Sequence, residues 1–453
     1  MKSQFITQPY LLSLHPAEEM NVVWIQRTPE AGFVEYGCSH TLGRYVKAEC
    51  YELTGLRGPA SEEGYAEQPE DNPSLQLWQC IARIGGLRPG ERVYYRCQSG
   101  SASTMVYHFH AAPQPGAPFR VAQISDLQGV NPCDTSVYRI GCTKPDLLLY
   151  SGDCTFYSWR ADQWFDLQEP WQEEGARRRA FFPCMQQLNG AKLMQYCPTF
   201  LCPGNHEVDD LRVGTDMSFT PVDEKWSWSI YMQLFRPLYP QMDPTRSGKR
   251  WYSADYGDLH ITSLSIMRWA RWEAFDGPGW RLVDSIAPNS PQLTWLEQDL
   301  AASKAKFKWV IQHWHLINKG TDTQVGLCEP VADEHGNVTY PEDWGQLLMD
   351  LYEKYGVNGV SYGHSHVYER YYLRGTHYIE AAYLGCCYRG ENAPLHPSGA
   401  VPLVEDNSHQ SFLIVERRKG GLFATGFYSE EVPVVFDQYQ IADETGASTP
   451  PEV

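Results

Sequence analysis

Asp126 in AQISDLQG, Asp153 in LLLYSGDC, Asn205-His206-Glu207 in LCPGNHE, His313 and His315 in WVIQHWH, and His364 and His366 in VSYGHSH follow one another in that order, each just past an apolar run. The donor set is carboxylate, amide and imidazole, with no thiolate required. Oxygen and nitrogen donors of this kind suit a hydrolytic centre built on two cations. Holding two cations about 3.5–4 Å apart requires a carboxylate that both can share, and Asp153 is the natural bridge. His364 and His366 project in different directions if their segment is extended, so each can serve a different cation, while Gly363 permits a sharp turn. A single Gly-Asp at a strand end is more often a turn, and a single His-x-His is as often surface or core decoration. The ordered set of five carries the inference.

These residues need a scaffold that brings five strand ends together. Open α/β sheets place ligands at the carboxyl ends of their strands. From Phe119 onward, FRVAQIS, DLLLYSGD, FLCPGN, LHITSLSI, KWVIQHW and GVSYGH read as buried strands, with PQLTWLEQDLAAS and PEDWGQLLMDLYEKYG as helices between them. The stretch 160–195 reads as a long amphipathic region, and 211–256 as a long ordered insertion near the Gly-Asn-His-Glu loop. SFLIVERR and GLFATGFYSE return to β character. Ahead of this α/β unit, residues 1–112 alternate short β runs such as MNVVWIQ, GFVEYG and RVYYRC with turns, which predicts a small all-β sandwich. Leu87-Arg88-Pro89-Gly90 leading into Val93-Tyr94-Tyr95 resembles the corner of fibronectin-type sandwiches, where a Tyr hydroxyl ties back the turn. Residues 113–118 then form a stiff Pro-rich linker, 119–440 the catalytic domain, and 441–453 a flexible tail.

The chain has 37 basic and 55 acidic residues among 453, formally −18. That balance argues against nucleic acid or an anionic membrane surface as partners. No run approaches the eighteen or so apolar residues of a membrane span, and MKSQFITQPYLLSLHP lacks a hydrophobic signal core, so a cytoplasmic location is expected from this text, or a secreted or periplasmic one if the N-terminus is truncated. The 13 cysteines show neither a CxxC pair nor zinc-finger spacing, which predicts buried thiols and no disulfide framework. Cys154 and Cys386-Cys387 read as packing residues.

The ordered series Asp, Gly-Asp, Gly-Asn-His-Glu, His, Gly-His-Ser-His resembles the signature of the calcineurin-like metallophosphoesterases, over residues 119 to about 435. The preceding sandwich, with WIQRTPEAGFVEYG and GLRPGERVYYRC, narrows the resemblance to the purple acid phosphatases. It implies a fibronectin-like domain followed by a four-layer α-β-β-α metallophosphoesterase domain. It also implies that Asp126, Asp153 and His366 hold one metal, that Asp153, Asn205, His313 and His364 hold the other, and that His206 faces substrate. Two offsets depart from the pattern. Where those phosphatases carry a Gly two places after the first Asp and a ligating Tyr three places after the second, this chain has Gln128 and Phe156; Gly129 and Tyr157 lie one residue later. Either Tyr157 reaches the metal after a backbone shift, or Gln128 takes the place that His fills in other branches, or the first site is one ligand short. Iron, manganese and zinc all suit such a set.

The implied reaction is hydrolysis of small phosphate monoesters, a hydroxide held by the two metals attacking phosphorus in line. The alternatives are a phosphodiesterase or nucleotide pyrophosphatase on the same metals and, from another class, a binding module with a degenerate metal site. His206 is the candidate for bonding phosphate or protonating the leaving group. His315 is a second candidate, against packing on Trp314. Glu207 is expected to orient its loop. Phe156, Tyr157, Trp159, Trp164, Phe165 and Trp171 read as core packing rather than the wall of a substrate pocket.

Overall fold

The computed structural model describes residues 4–56, 58, 75–128, 133–156, 158, 160–166, 172–173, 176–177, 180–187, 191–208, 230–241, 249–266, 268–271, 280–282, 284–319, 331–332, 338–339, 344–380, 395 and 399–451. Two sheets near the N-terminus form a sandwich. One orders Tyr10–Leu12, Glu19–Gln26, Trp78–Gly85 and Glu49–Glu52 side by side; the other orders Arg44–Lys47, Phe33–Gly37, Arg92–Ser99 and Ala102–Ser103, with Tyr107–His110 also on Arg92–Ser99. Along Arg92–Ser99 every second residue is buried, the period of a strand with one wet face. Val93, Tyr95 and Cys97 thereby meet Met20, Val22 and Trp24 of the opposite sheet in one apolar cluster.

Two expectations fail in this sandwich. Cys50 and Cys80 lie directly opposite each other on antiparallel neighbours and are joined by a disulfide. Thirty residues separate them in sequence, so only strand register, which residue spacing does not encode, could have paired them. Seven other cysteines are free, five of them buried. The turn at Arg88–Glu91 forms, with Glu91 N–H donating to the Arg88 carbonyl. The Tyr95 hydroxyl does not tie back that corner: it donates across to the Gln195 carbonyl at 2.8 Å, joining the sandwich to the α/β unit. Residues 111–116 are docked against both units, Ala112 N–H donating to the Pro16 carbonyl and Gly116 N–H to Asp258.

The α/β unit contains two larger sheets. In the six-stranded sheet the order is Thr199–Leu201, Leu147–Tyr150, Phe119–Ile124, Ser411–Arg418, Gly421–Tyr428, Val434–Asp443. The first three run parallel. In the seven-stranded sheet the order is Tyr252–Tyr256, Leu259–Ser263, Phe307–Ile311, Gly359–Tyr362, Thr376–Glu380, Tyr368–Leu373, Val404–Asp406, and its four strands from Leu259–Ser263 to Thr376–Glu380 are parallel to their neighbours. Among these central strands Leu147–Tyr150, Leu259–Ser263, Gly359–Tyr362 and Thr376–Glu380 are buried along their whole length, as strands covered on both faces must be. One core joins the sheets, Ile124 and Leu149 packing with Ile261 and Trp309. On the far side of the second sheet, Leu296 and Leu300 of helix Pro291–Ala302 and Leu348 and Tyr352 of helix Gly345–Tyr355 cover Val310 and Val360. Ser290 caps the first helix, and Gly356 ends the second in the left-handed conformation. The fold class is the one expected.

Three segments differ from their sequence reading. The described part of 160–195 holds three short helices, Ala161–Trp164, Phe181–Met185 and Leu193–Tyr196, and the short antiparallel pair Gln172–Glu173 with Ala176–Arg177. The stretch 211–256 is no single insertion: residues 211–229 and 242–248 lie outside the described set, but Tyr252–Tyr256 is the edge strand of the seven-stranded sheet. The C-terminal segment is not a loose tail either. Val434–Asp443 is its last strand, Asn358 donates to the Gly446 carbonyl and Ser448, and His377 bonds the Thr449 carbonyl. Among the described residues no helix is long and apolar enough to cross a membrane.

Candidate metal centre

Five strand ends converge. Asp126 and Asp153 follow strands Phe119–Ile124 and Leu147–Tyr150, and Asn205 follows Thr199–Leu201, all in the six-stranded sheet; His313 and the pair His364/His366 follow Phe307–Ile311 and Gly359–Tyr362 of the other. Close approach depends on glycine at three points. A Cβ at Gly204 would lie 2.1 Å from Asp153 Oδ1, one at Gly363 2.3 Å from Asp126 Oδ2, and one at Gly152 2.7 Å from His313 Nδ1. Asp126, Gln128, Asp153, His364 and His366 all have positive φ. Such conformations cost non-glycine residues ~1–3 kcal/mol each and persist where surrounding structure imposes them for a purpose.

Two buried or half-buried donor groups result, Asp153 with His313 and His364, and Asp126 with Asp153 and His366. Asp153 belongs to both. His313 Nδ1 lies 2.7 Å from the Ser151 carbonyl, to which it must donate. Its Nε2 in the neutral ring then presents a lone pair 2.9 Å from Asn205 Oδ1 and 3.3 Å from Asp153 Oδ2. Asn205 Oδ1 is also 2.9 Å from His364 Nδ1. Polar groups thus converge in a buried space, an arrangement that a cation among them, proton or metal, relieves. On the other side His366 Nε2 is 3.4 Å from Asp126 Oδ1, whose carboxylate accepts the His364 backbone N–H. The donor set fits two metal ions.

The electrostatics agree. Burial would raise the Asp153 carboxyl, but His313, His206 and His364 around it outweigh that and hold it far below the usual carboxylate range. Burial opposes charging of His313, yet the Asp153 carboxylate pushes it up to about 9, as a cation in that place would stabilise the centre's negative charge. His364, desolvated and beside His313, is held well below the ordinary imidazole value. It therefore stays neutral, the form that ligates.

Around these donors stand residues that fix them. Glu207 is 1% exposed, and its carboxylate accepts the backbone N–H groups of Asp153, Cys154 and Gly204, clamping the two loops together. Burial and the neighbouring Asp153 charge push it up to about 8. His206 donates its backbone N–H to Asp153 Oδ1, bonds the Phe156 carbonyl through Nδ1 at 2.9 Å, and packs its ring on Phe156. Its Nε2 lies 3.8 Å from Asp153 Oδ2. His315 is buried, stacked on Trp314, with Nδ1 3.3 Å from Ser365 Oγ and its ring 5.7 Å from that of His364. Gln128 is 3% exposed and places its amide 3.0 Å from Asp153 Oδ2. Trp164 and Phe165 pack in the core; Tyr157, Trp159, Trp171 and Cys386-Cys387 lie outside the described residues.

Sequence reasoning missed the backbone partners. The Ser151 and Phe156 carbonyls orient His313 and His206, and Glu380 accepts the Ser365 N–H between the two paired histidines. Trp314 packs its ring against that of His364, tilted by 31° with centroids 3.9 Å apart. A carbonyl leaves no signal in residue type; only the buried Glu380 at the end of an apolar strand offered one.

Residues 119–368 match the calcineurin-like phosphoesterase family. The chain belongs to that family. Among curated relatives, acid phosphatase type 7 of Homo sapiens is 26% identical over 367 residues, covering 79% of this chain and 69% of its own length. Purple acid phosphatase 15 of Arabidopsis thaliana is 24% identical over 303 residues, covering 64% of this chain and 48% of its own. The solved purple acid phosphatase PPD1 from yellow lupin seeds superposes with TM-score 0.62 at 20% identity over 95% of this chain and 73% of that one. PhoD does so at 0.65 and 13% over 99% and 94%. Both likenesses extend through the N-terminal β unit, so the family member has the two-part architecture of a purple acid phosphatase.

Proposed function

We propose that this phosphoesterase hydrolyses small phosphate monoesters at a centre of two metal ions. The observation that carries the reading is Asp153, common to two donor groups whose other members are all of metal-binding type. In this reading Asp126, Asp153 and His366 hold one ion, and Asp153, Asn205, His313 and His364 the other. The ions, when bound, supply neutralisation of phosphoryl charge and a water of lowered pKa. The protein's part is positional. Asp153 and Glu207 lock the loops that carry the donors, and the Ser151 carbonyl presents His313 Nε2. His206, with Nδ1 committed to the Phe156 carbonyl, turns Nε2 to the substrate side. Protonated there, it donates to a phosphate oxygen or passes that proton to the leaving alkoxide. His315, held in the Trp314 and Ser365 packing, supports the His364 ring.

The metal identities are a finer proposal. Gln128 Oε1 is buried without a hydrogen-bond partner, and rotating the terminal amide exchanges it with Nε2, 3.0 Å from Asp153 Oδ2. The Gln128 amide oxygen then completes the first site. Neutral amide, carboxylate and imidazole favour divalent manganese, zinc or ferrous iron over ferric iron. Elemental analysis of the purified protein, with p-nitrophenyl phosphate hydrolysis before and after chelation and re-metallation, tests both claims. Two metals per chain and chelator-sensitive turnover are expected; less than one metal and no activity restored by iron, zinc or manganese would refute the reading. Faster turnover of bis-p-nitrophenyl phosphate than of the monoester would reassign it to phosphodiesters.

A further inference from the structure

Where the sandwich meets the α/β unit, away from the metal centre, lies a cleft of about 390 Å³. That volume is in the range of small-molecule sites, which favour domain boundaries. Arg92, His108 and His110 face it from the sandwich, and Lys144, Asp146 and Tyr196 from the α/β unit. The sandwich residues arrive as a set because Arg92 pairs with His110, and Tyr94 with His108, directly across neighbouring strands. Arg92 Nε donates to His110 Nε2 at 2.9 Å, which orients the guanidinium and leaves its terminal amino groups toward the cleft. No described carboxylate ion-pairs with Arg92 or Lys144, although the chain carries an excess of 18 negative charges. Burial first and then the Arg92 charge hold His108 and His110 below the usual imidazole range, the Asp146 carboxylate partly offsetting this at His110. Asp146 Oδ2 accepts the Arg120 N–H at 2.9 Å, leaving Oδ1 as an acceptor, and Tyr196 packs its ring on His108 at 4.8 Å.

We propose that this cleft is a second binding site, for a small organic phosphate that carries a hydroxyl. Its oxyanion sits between Arg92 and Lys144, the forked guanidinium matching two oxygens. Asp146 accepts the hydroxyl, and the ring of Tyr196 covers the carbon portion. Because both units line it, a bound ligand ties the sandwich to the α/β unit.

The test is calorimetric titration of the metal-loaded full chain with 2-hydroxyethylphosphonate, which cannot be hydrolysed as an ester. Two binding events are expected, and Arg92→Gln/Lys144→Gln should weaken one of them at least ~10-fold while p-nitrophenyl phosphate turnover stays unchanged. A single event in the wild type that persists in the double variant overturns the proposal. A single event lost in the double variant but kept in Asp153→Asn supports the cleft while refuting the reading of the metal centre. If the double variant melts early, Lys144→Glu alone, at an exposed position, should abolish the event by charge reversal; retention there overturns the proposal too. Inorganic phosphate binding the cleft as tightly as the phosphonate would remove the hydroxyl and ring from the recognition.

Discussion

The two halves of the metal centre are built to different standards. In the half formed by Asn205, His313 and His364, two of the donors are held from outside the centre: His313 by the Ser151 carbonyl and His364 by the contact of its ring with Trp314. The half formed by Asp126 and His366 has a carboxylate steadied by the His364 backbone and an amide, Gln128, at the place where the purple acid phosphatase pattern departs. Preorganised donors lose less freedom when they ligate, so the first half should hold its ion firmly and the second loosely. Shared Asp153 makes the two interdependent.

The largest effect should come from the shared residue. Asp153→Asn removes the bridging charge while nearly keeping the shape, and both ions should be lost together, with kcat/KM falling by about 10⁴-fold or more. Elemental analysis decides: retention of one full equivalent would mean that the halves are independent. Next, His206→Ala should lower turnover by roughly 10²–10³-fold with two metals still bound, since it touches neither half as a donor in this reading. Wild-type turnover would remove it from the mechanism.

Gln128→Ala and His313→Ala set the halves against each other. Metal-competition titration should show His313→Ala stripping the His313 half, while Gln128→Ala weakens only the Asp126 half by about 10-fold, the scale of one peripheral donor. Stepwise chelation of the wild type should likewise release one ion well before the second. An unchanged titration in Gln128→Ala would return the first half to Tyr157 or to a missing ligand.

The same contrast explains what was legible in the sequence. His313, Asn205 and His364 declared themselves because their chemistry resides in residue type at a strand end, and strands such as KWVIQHW and GVSYGH are marked by nearly continuous apolar, buried runs. The role of Gln128 did not, because it depends on a φ of 41° and on which way an amide faces. Register hid the Cys50–Cys80 pair, and tertiary docking redirected the Tyr95 hydroxyl from its own turn to Gln195. The short helices within 160–195 owe their burial to the aromatic cluster of Trp164, Phe181 and Phe182, not to any helical stripe.

The smallest effect concerns the scaffold beneath the better-fixed half. His260, on the strand Leu259–Ser263 beside the one that delivers His313, lies 2.7 Å from Asp255 and 2.9 Å from Asp299. Burial opposes its charge, but the two carboxylates push it up to about 9. A histidine raised from about 6.5 in the unfolded chain contributes its full stabilisation below that pH and loses it as pH rises through about 9. Asp255 is largely exposed, so solvent screening reduces the contribution to about 1–2 kcal/mol. Thermal melts between pH 6 and 10 should therefore fall more steeply for the wild type than for Asp299→Asn, with the two curves closest at alkaline pH. Because His260 lies on the strand beside the one that delivers His313, metal release from the His313 half should accelerate over the same interval; an unchanged release rate would show that this pair does not support the centre.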